Sequence, residues 1–276
     1  MNRSFPSRVA ALVIGAAGMV LGASSALAQA GADTVKEIEK YREALADGNP
    51  AELWEARGED IWKRRRGPRN ESLEKCDLGK GPGVVKGVYA ELPRYFPDVE
   101  KVMDLESRLV HCITTLQGYS RTEVMRRPFG DGGNRSDIEA IVAYVTAASK
   151  GVVMNVGATH PKEDEAFKLG EKIFFFRGGP HDFSCASCHS EAGKRIRLQD
   201  LPNLTERKDS QRAYTTWPAY RVSQGELRTM QWRLFDCFRQ QRFPALEFTS
   251  DASVALTMFL ARNANGGTFN APAIKR

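Results

Sequence analysis

The stretch 185-CASCH-189 decides the fold of this chain. Its C-x-x-C-H pattern is the attachment site of a c-type haem, because two cysteines at this spacing can each add to a vinyl group of the haem. The adjacent histidine, His189, then becomes the proximal ligand of the iron. We therefore predict that Cys185, Cys188 and His189 hold one covalently bound haem c.

Two other interpretations of this motif have less support. A thioredoxin-like C-x-x-C requires a βαβ pattern around it, and the flanking sequence has none. A zinc site requires a second pair of cysteine or histidine ligands nearby, and His181 alone is thin support for one.

The segments on either side of the motif are typical of helices. Before it, 164-DEAFKLGEKIFFF-176 has apolar residues at helical spacing and acids at its start. After it, 250-SDASVALTMFLARN-263 opens on Ser250, a candidate N-cap. This order matches the plan of class I cytochromes c, in which Gly170 would let the two helices cross closely. Since convincing hairpin signals are missing, we predict a mainly α fold.

The chain begins like an exported protein. Arg3 and Arg8 form a basic n-region, residues 9–22 are almost wholly apolar or small, and Ala26-Leu27-Ala28 offers a cleavage site. We predict that residues 1–28 are a signal peptide. The alternative is an uncleaved membrane anchor, but the apolar run is shorter than the ~20 residues that a span needs. The sequence thus predicts a soluble periplasmic protein without a membrane span, in a compartment where disulfides persist.

Charge and length restrict the possible functions. The formal net charge is +6, and it falls to +4 without residues 1–28, which hold two arginines and no acids. This excess suits an anionic ligand or an acidic partner, but it is too small to indicate nucleic acid. The mature length corresponds to one large domain or two small ones, at roughly 100–200 residues per domain.

Four short matches in the same order indicate a duplicated domain. They pair 58-GEDIW-62 with 170-GEKIF-174, 67-GP-68 with 179-GP-180, 108-RLVHC-112 with 233-RLFDC-237, and 136-SDIEAIVAYVTAA-148 with 250-SDASVALTMFLAR-262. An aromatic–proline pair, Phe96-Pro97 or Trp217-Pro218, lies upstream of each R-L-x-x-C. We predict two cytochrome-like domains, residues 29–150 and 151–276, with a linker around 149–163.

The repeat also predicts the loss of a haem. Where the second half has CASCH, the first half has 76-CDLGK-80, so Gly79 and Lys80 stand in place of a haem cysteine and the histidine. The N-terminal domain is therefore predicted to bind no c-type haem. Cys76 and Cys112 are then two thiols of one exported domain, and a disulfide is the economical interpretation. Two buried free thiols are the alternative.

Five cysteines, less two for the haem and two for a disulfide, leave Cys237. It has three interpretations: an inert buried thiol, a distal iron ligand, or a ligand that also carries a sulfur group. Methionine usually takes the distal place, so Met154, Met230 and Met258 compete for it. Arg233, one helical turn before Cys237, favours the last two interpretations, because a cationic neighbour lowers the pKa of a thiol.

The order of CASCH, W-P-x-Y-R at Trp217–Arg221 and M-Q-W-R-L-F-D-C-F-R at Met230–Arg239 resembles the SoxA family. These are the A subunits of the SoxAX cytochromes of thiosulfate-oxidising bacteria. The resemblance covers both domains, and R-x-x-x-C after C-x-x-C-H is its most specific part. Many members keep a haem in the first domain, and this sequence departs from that pattern.

The resemblance implies two fused class I cytochrome c domains and one haem whose axial ligands are His189 and Cys237. It implies that Cys237 is the catalytic residue and carries a persulfide. It further implies that Arg233 binds the substrate and that Arg262 lines the same site.

The resemblance also implies a function, that of an L-cysteine S-thiosulfotransferase. Such a subunit pairs with a small mono-haem cytochrome, SoxX, and joins thiosulfate oxidatively to a cysteine of a carrier protein, SoxYZ. A plain electron-transfer cytochrome c with His/Met ligation is the alternative, and it would make Cys237 incidental. A third possibility is an inactive subunit that only docks a partner.

Overall fold

A computed structural model describes residues 40, 44, 48–196 and 199–275. The chain divides into two units, residues 1–48 and 49–276, and every element named below belongs to the second. The predicted signal peptide, residues 1–28, lies outside the described residues. Within the described ranges, no helix combines the length and the apolar character that crossing a bilayer requires.

Helices dominate the second unit, and short strands connect them. The helices are α1 (Ala51–Lys63), α2 (Leu105–Cys112), α3 (Arg121–Met125), α4 (Asp137–Ala147), α5 (Pro161–Phe175), α6 (Cys185–His189), α7 (Arg207–Tyr214), α8 (Met230–Gln240) and α9 (Asp251–Asn263). The strands are β1 (Arg94–Phe96), β2 (Lys101–Met103), β3 (Arg195–Ile196), β4 (Gln199–Asp200), β5 (Ala219–Arg221), β6 (Glu226–Arg228) and β7 (Ala273–Lys275).

Each half is built on one pair of crossing helices, α1 with α4 and α5 with α9. A Cβ atom at Gly58 would lie 2.0 Å from the carbonyl oxygen of Ala140, and one at Gly170 would lie 2.0 Å from that of Ala255. Only glycine permits so close an approach of two backbones. The predicted close crossing at Gly170 is therefore confirmed, and the first half repeats it.

The last helices of the two halves match in two slightly different registers. Ser136 and Ser250 cap α4 and α9, and each accepts a hydrogen bond from a backbone N–H three residues on. These caps agree with the alignment that the sequence predicts. The residues at the crossing points, Ala140 and Ala255, are shifted by one position relative to that alignment. The close contact at each glycine therefore sets the packing of the two helices independently of the cap.

Two antiparallel hairpins, β1–β2 and β5–β6, lead into α2 and α8. In both hairpins, four residues connect the strands. The residue numbers of equivalent positions differ by 125 throughout the two hairpins, and those of Cys112 and Cys237 differ by the same number. The expectation of no hairpin was wrong, since strands of three residues are too short to produce a recognisable alternation. Strand β7 lies parallel to β5, which completes a three-stranded sheet in the order β6-β5-β7.

The hairpins also correct one match in the predicted repeat. Pro218 directly precedes β5, and the proline that directly precedes β1 is Pro93. The counterpart of Trp217-Pro218 is therefore Leu92-Pro93, and Phe96-Pro97 lies at the other end of its strand.

The predicted linker around 149–163 packs against both halves. The backbone N–H of Met154 donates to the carbonyl of Gly267 at 2.8 Å, and that of Asn155 donates to the carbonyl of Ala90 at 2.8 Å. Helix α5 begins at Pro161, where this segment ends. The segment therefore joins the halves in space as well as in sequence.

A buried polar seam also connects the halves, where the first turns of α2 and α8 meet. The side-chain amide of Gln231 donates to Asp104 at 2.6 Å, and its backbone N–H faces Glu106 at 3.4 Å. Burial raises the pKa of Glu106 to about 8, and the neighbouring charge of Asp104 adds to the shift. Burial raises the pKa of Asp104 as well.

This seam predicts a pH dependence of stability. The pKa of Glu106 rises from its ordinary value of 4.5 to about 8 on folding. Its contribution to stability is thus fully present below pH 4.5 and is lost as the pH rises toward 8, because only the unfolded state gains from ionisation there. We expect Glu106→Gln to reduce the loss of stability between pH 5 and pH 8 by at least about 1.4 kcal/mol, the equivalent of one pKa unit.

Denaturant titrations at the two pH values measure this effect. Glu165→Gln, at an exposed position of α5, is the control, and it should keep the pH dependence of the unmodified protein. An equal pH dependence in Glu106→Gln would mean that Glu106 is ionised in the folded state.

Candidate active site

The CASCH segment folds as the short helix α6. Ser184 caps it by accepting a hydrogen bond from the N–H of Ser187 at 3.1 Å, and the Ser187 hydroxyl accepts one from the N–H of Ser184 at 2.9 Å. Cys185 and Cys188 are free, partly buried thiols. The helix therefore presents both predicted haem cysteines unpaired.

His189 has one ring nitrogen engaged and the other free for a ligand bond. Its Nδ1 lies 3.0 Å from the carbonyl oxygen of Pro202, so Nδ1 carries the proton and Nε2 keeps its lone pair. Such a backbone partner fixes the tautomer of a metal-ligating histidine. Burial lowers the pKa of His189, with a smaller effect from Arg233, and this favours the neutral form that can bind iron.

Cys237 lies on α8, which begins at an N-cap, Thr229, that accepts from the N–H of Trp232 at 3.2 Å. The helix places Arg233 one turn before Cys237 on the same face. The Cys237 thiol lies close enough to Cys185 and Cys188 to interact electrostatically with both. Cys237 and the two cysteines of α6, which are distant from it in sequence, therefore lie within electrostatic range of one another.

The electrostatics of Cys237 differ from the prediction. Burial raises the pKa of its thiol, Asp236 and Cys188 add to that shift, and Arg233 and Arg221 only oppose it. The arginines therefore lower this pKa, as expected of cationic neighbours, but the expected direction of the net shift was wrong. The free energy that a thiolate loses through desolvation at this position is larger than the free energy that it gains from the two arginines.

Arginines that are near Cys237 in sequence have different partners in space. Arg233 lies 3.5 Å from Asp236, which also pairs with Arg239 at 2.8 Å. Arg228 points away and donates to the carbonyl of Gly130 at 2.8 Å. Arg233 is therefore the arginine of α8 that acts on the thiol.

Arg262, the second predicted substrate-binding residue, is engaged elsewhere. Its two terminal nitrogens donate to Asp164 at 2.7 Å and to the carbonyl of Gly157 at 2.8 Å. Its guanidinium also lies over the ring of Phe167, 4.9 Å from the centroid. These contacts tie Arg262 to the first turn of α5 and the segment before it.

Arg221 is the residue that sequence reasoning missed. It ends β5, and it interacts electrostatically with both Arg233 and Cys237. The only signal in the sequence was its place at the end of W-P-x-Y-R, a motif to which we could assign no chemistry.

The first half has a disulfide in the corresponding place. Cys76 and Cys112 are buried and joined, with an S–S distance of 2.02 Å, so the predicted disulfide is present and the free-thiol alternative is wrong. Residues 76–80 form a turn instead of a helix, in which Asp77 accepts from the N–H of Gly79 at 2.6 Å.

We expect removal of this disulfide to destabilise the protein. Cys76 and Cys112 are 36 positions apart, and closing a loop of that length contributes about 3–4 kcal/mol in the chain-entropy model. The double variant Cys76→Ser/Cys112→Ser should lose roughly that amount in a denaturant titration. A midpoint equal to that of the unmodified protein would show that the bond contributes nothing to stability.

Two alternative interpretations gain no support from the geometry. Across the described residues, no group of three or more His, Cys, Asp or Glu side chains is arranged to hold a metal ion. Met154, Met230 and Met258, the candidate distal methionines, are all buried members of the hydrophobic core.

Comparisons with known proteins agree with this arrangement. The family model of the SoxA/TsdA cytochrome c domain matches residues 57–154 and 169–269. The L-cysteine S-thiosulfotransferase subunit SoxA of Hydrogenophilus thermoluteolus is 51% identical over 242 residues, which cover 88% of each chain. A subunit of the same name from Hydrogenobacter thermophilus is 33% identical, over 87% of this chain and 89% of the relative.

A solved structure has a similar fold. A chain of the crystal structure of SoxXA from P. pantotrophus superposes with a TM-score of 0.70 at 25% identity. The superposition covers 86% of this chain and 84% of that one. The likeness therefore extends over both halves.

Proposed function

This chain belongs to the SoxA family of cytochrome c subunits, and from that premise we propose that it is the A subunit of a thiosulfate-oxidising SoxAX cytochrome. In this role it is an L-cysteine S-thiosulfotransferase that joins thiosulfate to a cysteine of a SoxYZ-type carrier. The observation that carries the proposal is that the Cys237 thiol interacts electrostatically with Arg233 and with both thiols of the CASCH helix.

The residues of the second half fit one haem c. Cys185 and Cys188 would hold it through thioethers, and His189 through the nitrogen that Pro202 leaves free. Cys237 would be the second protein ligand of the iron. When bound, the haem supplies the redox path that accepts electrons one at a time.

The first half is proposed to hold no haem. Its CDLGK turn offers neither the second cysteine nor the histidine, and Cys76 is already consumed by the disulfide. This supports the proposed division into a haem-less domain, residues 29–150, and a haem-binding domain, residues 151–276.

Arg233 binds the sulfonate end of thiosulfate in this proposal. A guanidinium presents paired N–H donors to the oxygens of an oxyanion. Asp236 holds this guanidinium beside Cys237 through its 3.5 Å contact. The bound anion then directs its outer sulfur at the sulfur carried by Cys237. Arg262 remains a candidate for the rim of the same site, although its terminal nitrogens are engaged.

The proposed chemistry is an oxidative conjugation in two steps. A sulfur–sulfur bond forms between the outer sulfur of thiosulfate and the persulfide sulfur on Cys237, with the loss of two electrons. The thiolate of the carrier then attacks the outer sulfur of thiosulfate, the bond between that sulfur and the persulfide sulfur breaks, and the persulfide remains on Cys237 as the leaving group. The net reaction joins a carrier thiolate and thiosulfate and releases two electrons, and Cys237 ends as it began.

The proposal includes the partners and the compartment. The superposition on a chain of SoxXA supports a SoxX-type mono-haem cytochrome as the second subunit. The signal-like N-terminus supports export to the periplasm. Thiosulfate and the SoxYZ-type carrier follow from the activity for which the relatives are named.

A reconstitution assay tests this function. The haem-loaded protein, its SoxX-type partner, a SoxYZ-type carrier, thiosulfate and an oxidised cytochrome acceptor are combined, and the carrier is analysed by mass spectrometry. We expect a thiosulfonate adduct on the carrier cysteine. Electron transfer to the acceptor without any adduct would instead identify a plain electron-transfer cytochrome.

A further inference from the structure

We propose that Arg221 and Arg233 together form the anion site for the sulfonate group of thiosulfate, so that Arg221 is the second substrate-binding arginine. The inference rests on the proposed function, since it names the groups that recognise the substrate of that same site. It assigns to the β5–β6 hairpin a role in substrate binding.

Arg221 has donor capacity that the protein leaves unused. Its side chain is half-buried, and its Nε is fully buried without a hydrogen-bond partner. Within the described part of the chain, its guanidinium forms no ion pair and no hydrogen bond. A buried donor without a partner is unfavourable, and the terminal nitrogens of the same half-buried guanidinium have no protein acceptor among the described residues, so they are the donors that an acceptor could use.

The surroundings of Arg221 favour an anion as that acceptor. Arg233 and Arg228 act on it as like charges, while Asp236 opposes them. Asp236 is shared, since it accepts from Arg239 at 2.8 Å and from Gln240 at 2.6 Å. One shared carboxylate therefore faces several guanidinium groups, and a dianion would balance the excess.

The first half provides an internal comparison, because it contains the same hairpin and helix without the haem motif. Arg108, the counterpart of Arg233, has its guanidinium carbon 4.2 Å from the ring centroid of Phe96. It also pairs with Asp98 at 2.7 Å. Both partners lie on the β1–β2 hairpin, and together they satisfy and neutralise this arginine.

The second half replaces both of these partners. The position equivalent to Phe96 is Arg221, and the position equivalent to Asp98 is Ser223. An aromatic ring and an acid have become a second arginine and a neutral side chain beside Arg233. The half that keeps the haem motif therefore has a second guanidinium beside Arg233, whose own ion pair with Asp236 is longer, at 3.5 Å, than the 2.7 Å pair of Arg108 with Asp98.

The contacts of Arg262 make it a weaker choice for the second arginine. Its terminal nitrogens already donate to Asp164 and to the carbonyl of Gly157. To bind a substrate through them, Arg262 would have to release these partners. Both arginines have a buried Nε without a partner, so the terminal nitrogens decide. Those of Arg221 have no partner to release among the described residues, and Arg221 is close enough to Cys237 to act on its thiol.

The test uses the complete, haem-loaded complex with two variants, Arg221→Gln and Arg221→Lys. Arg221→Gln should raise the KM for thiosulfate roughly 10–100-fold, since a hydrogen bond between charged groups contributes about 1.5–3 kcal/mol. Its kcat should change far less. Arg221→Lys keeps the positive charge but lacks the paired N–H donors of a guanidinium, so it should give an intermediate KM. Arg212→Gln, at an exposed position of α7 whose partner is Asp209, should match the unmodified protein.

A binding measurement separates this proposal from the proposed function. Thiosulfate is titrated calorimetrically into each haem-loaded variant without the carrier, and Arg221→Gln should bind at least tenfold more weakly than Arg212→Gln. An unchanged Kd and an unchanged KM in Arg221→Gln would overturn the role of Arg221 even if conjugation is normal. If the unmodified protein forms no adduct on the carrier, the proposed function fails, and the calorimetric difference still decides whether Arg221 binds the anion.

Discussion

Replacing Cys237 with alanine is expected to abolish thiosulfate conjugation, with a fall of at least about 10³-fold in the initial rate of carrier modification. Removal of a residue that forms the covalent intermediate typically has effects of this size. Alanine leaves the outer sulfur of thiosulfate without a sulfur atom to bond. The rate is measured by mass spectrometry of the carrier at early times.

Met258→Leu is the matched control for this variant. Met258 is fully buried, and the substitution conserves volume, so it should retain the rate of the unmodified protein. If a methionine were the functional ligand and Cys237 incidental, Cys237→Ala would keep its full rate, and the mechanism proposed here would be wrong.

Replacing Gly170 with alanine is expected to destabilise the fold by about 3 kcal/mol or more, at the upper end of the effects of overpacking. The new Cβ would lie 2.0 Å from the carbonyl oxygen of Ala255 and 2.9 Å from the Cβ of Phe259. The first of these atoms belongs to helix backbone, which cannot move alone. The helices α5 and α9 would have to separate, and they are the crossing pair on which the second half is built. Thermal and denaturant unfolding of the haem-loaded protein measure the loss.

Gly157→Ala is a suitable comparison, because a Cβ there would meet its nearest atom, on Thr159, at an ordinary distance of 3.4 Å. We expect it to change stability by less than about 1 kcal/mol. If Gly170→Ala unfolds at the same midpoint as Gly157→Ala, the helices do not cross as closely as described.

The sequence predicted the features of this protein that depend on fixed local spacing. The C-x-x-C-H motif, the four-residue step from Arg233 to Cys237 and the serine cap of α9 each express a rule of covalent or helical geometry. The pairing of Cys76 with Cys112 followed from counting cysteines within a repeat. Each of these predictions agrees with the local geometry of the structure.

Features that depend on contacts between distant segments were missed. The strands of both hairpins have three residues, and their pairing depends on the helices that they precede. The approach of Arg221 to Cys237 is likewise a result of that packing. Burial of the Cys237 thiol affects its pKa more than the charge of Arg233 does. The degree of burial of a side chain cannot be deduced from the pattern of residues along the chain.

The repeat also explains where the halves diverge. Cys76 lies 18 positions before Arg94, the first residue of β1, whereas Cys185 lies 34 positions before Ala219, the first residue of β5. The half that contains the C-x-x-C-H motif thus has an additional segment between this motif and its hairpin. That segment contains Pro202, whose carbonyl fixes the ring of His189. An alignment of short motifs does not reveal a hydrogen-bond partner that lies between them in the sequence.

The most direct test of the account is mass spectrometry of the protein after export and maturation in a bacterial host, both intact and as non-reduced peptides. We expect one haem on the Cys185–Cys188 peptide, a linked Cys76–Cys112 peptide, and at least one additional sulfur atom on the Cys237 peptide. A Cys237 peptide with an unmodified thiol that alkylates freely would contradict the central claim, that this cysteine carries the sulfur to which thiosulfate is joined.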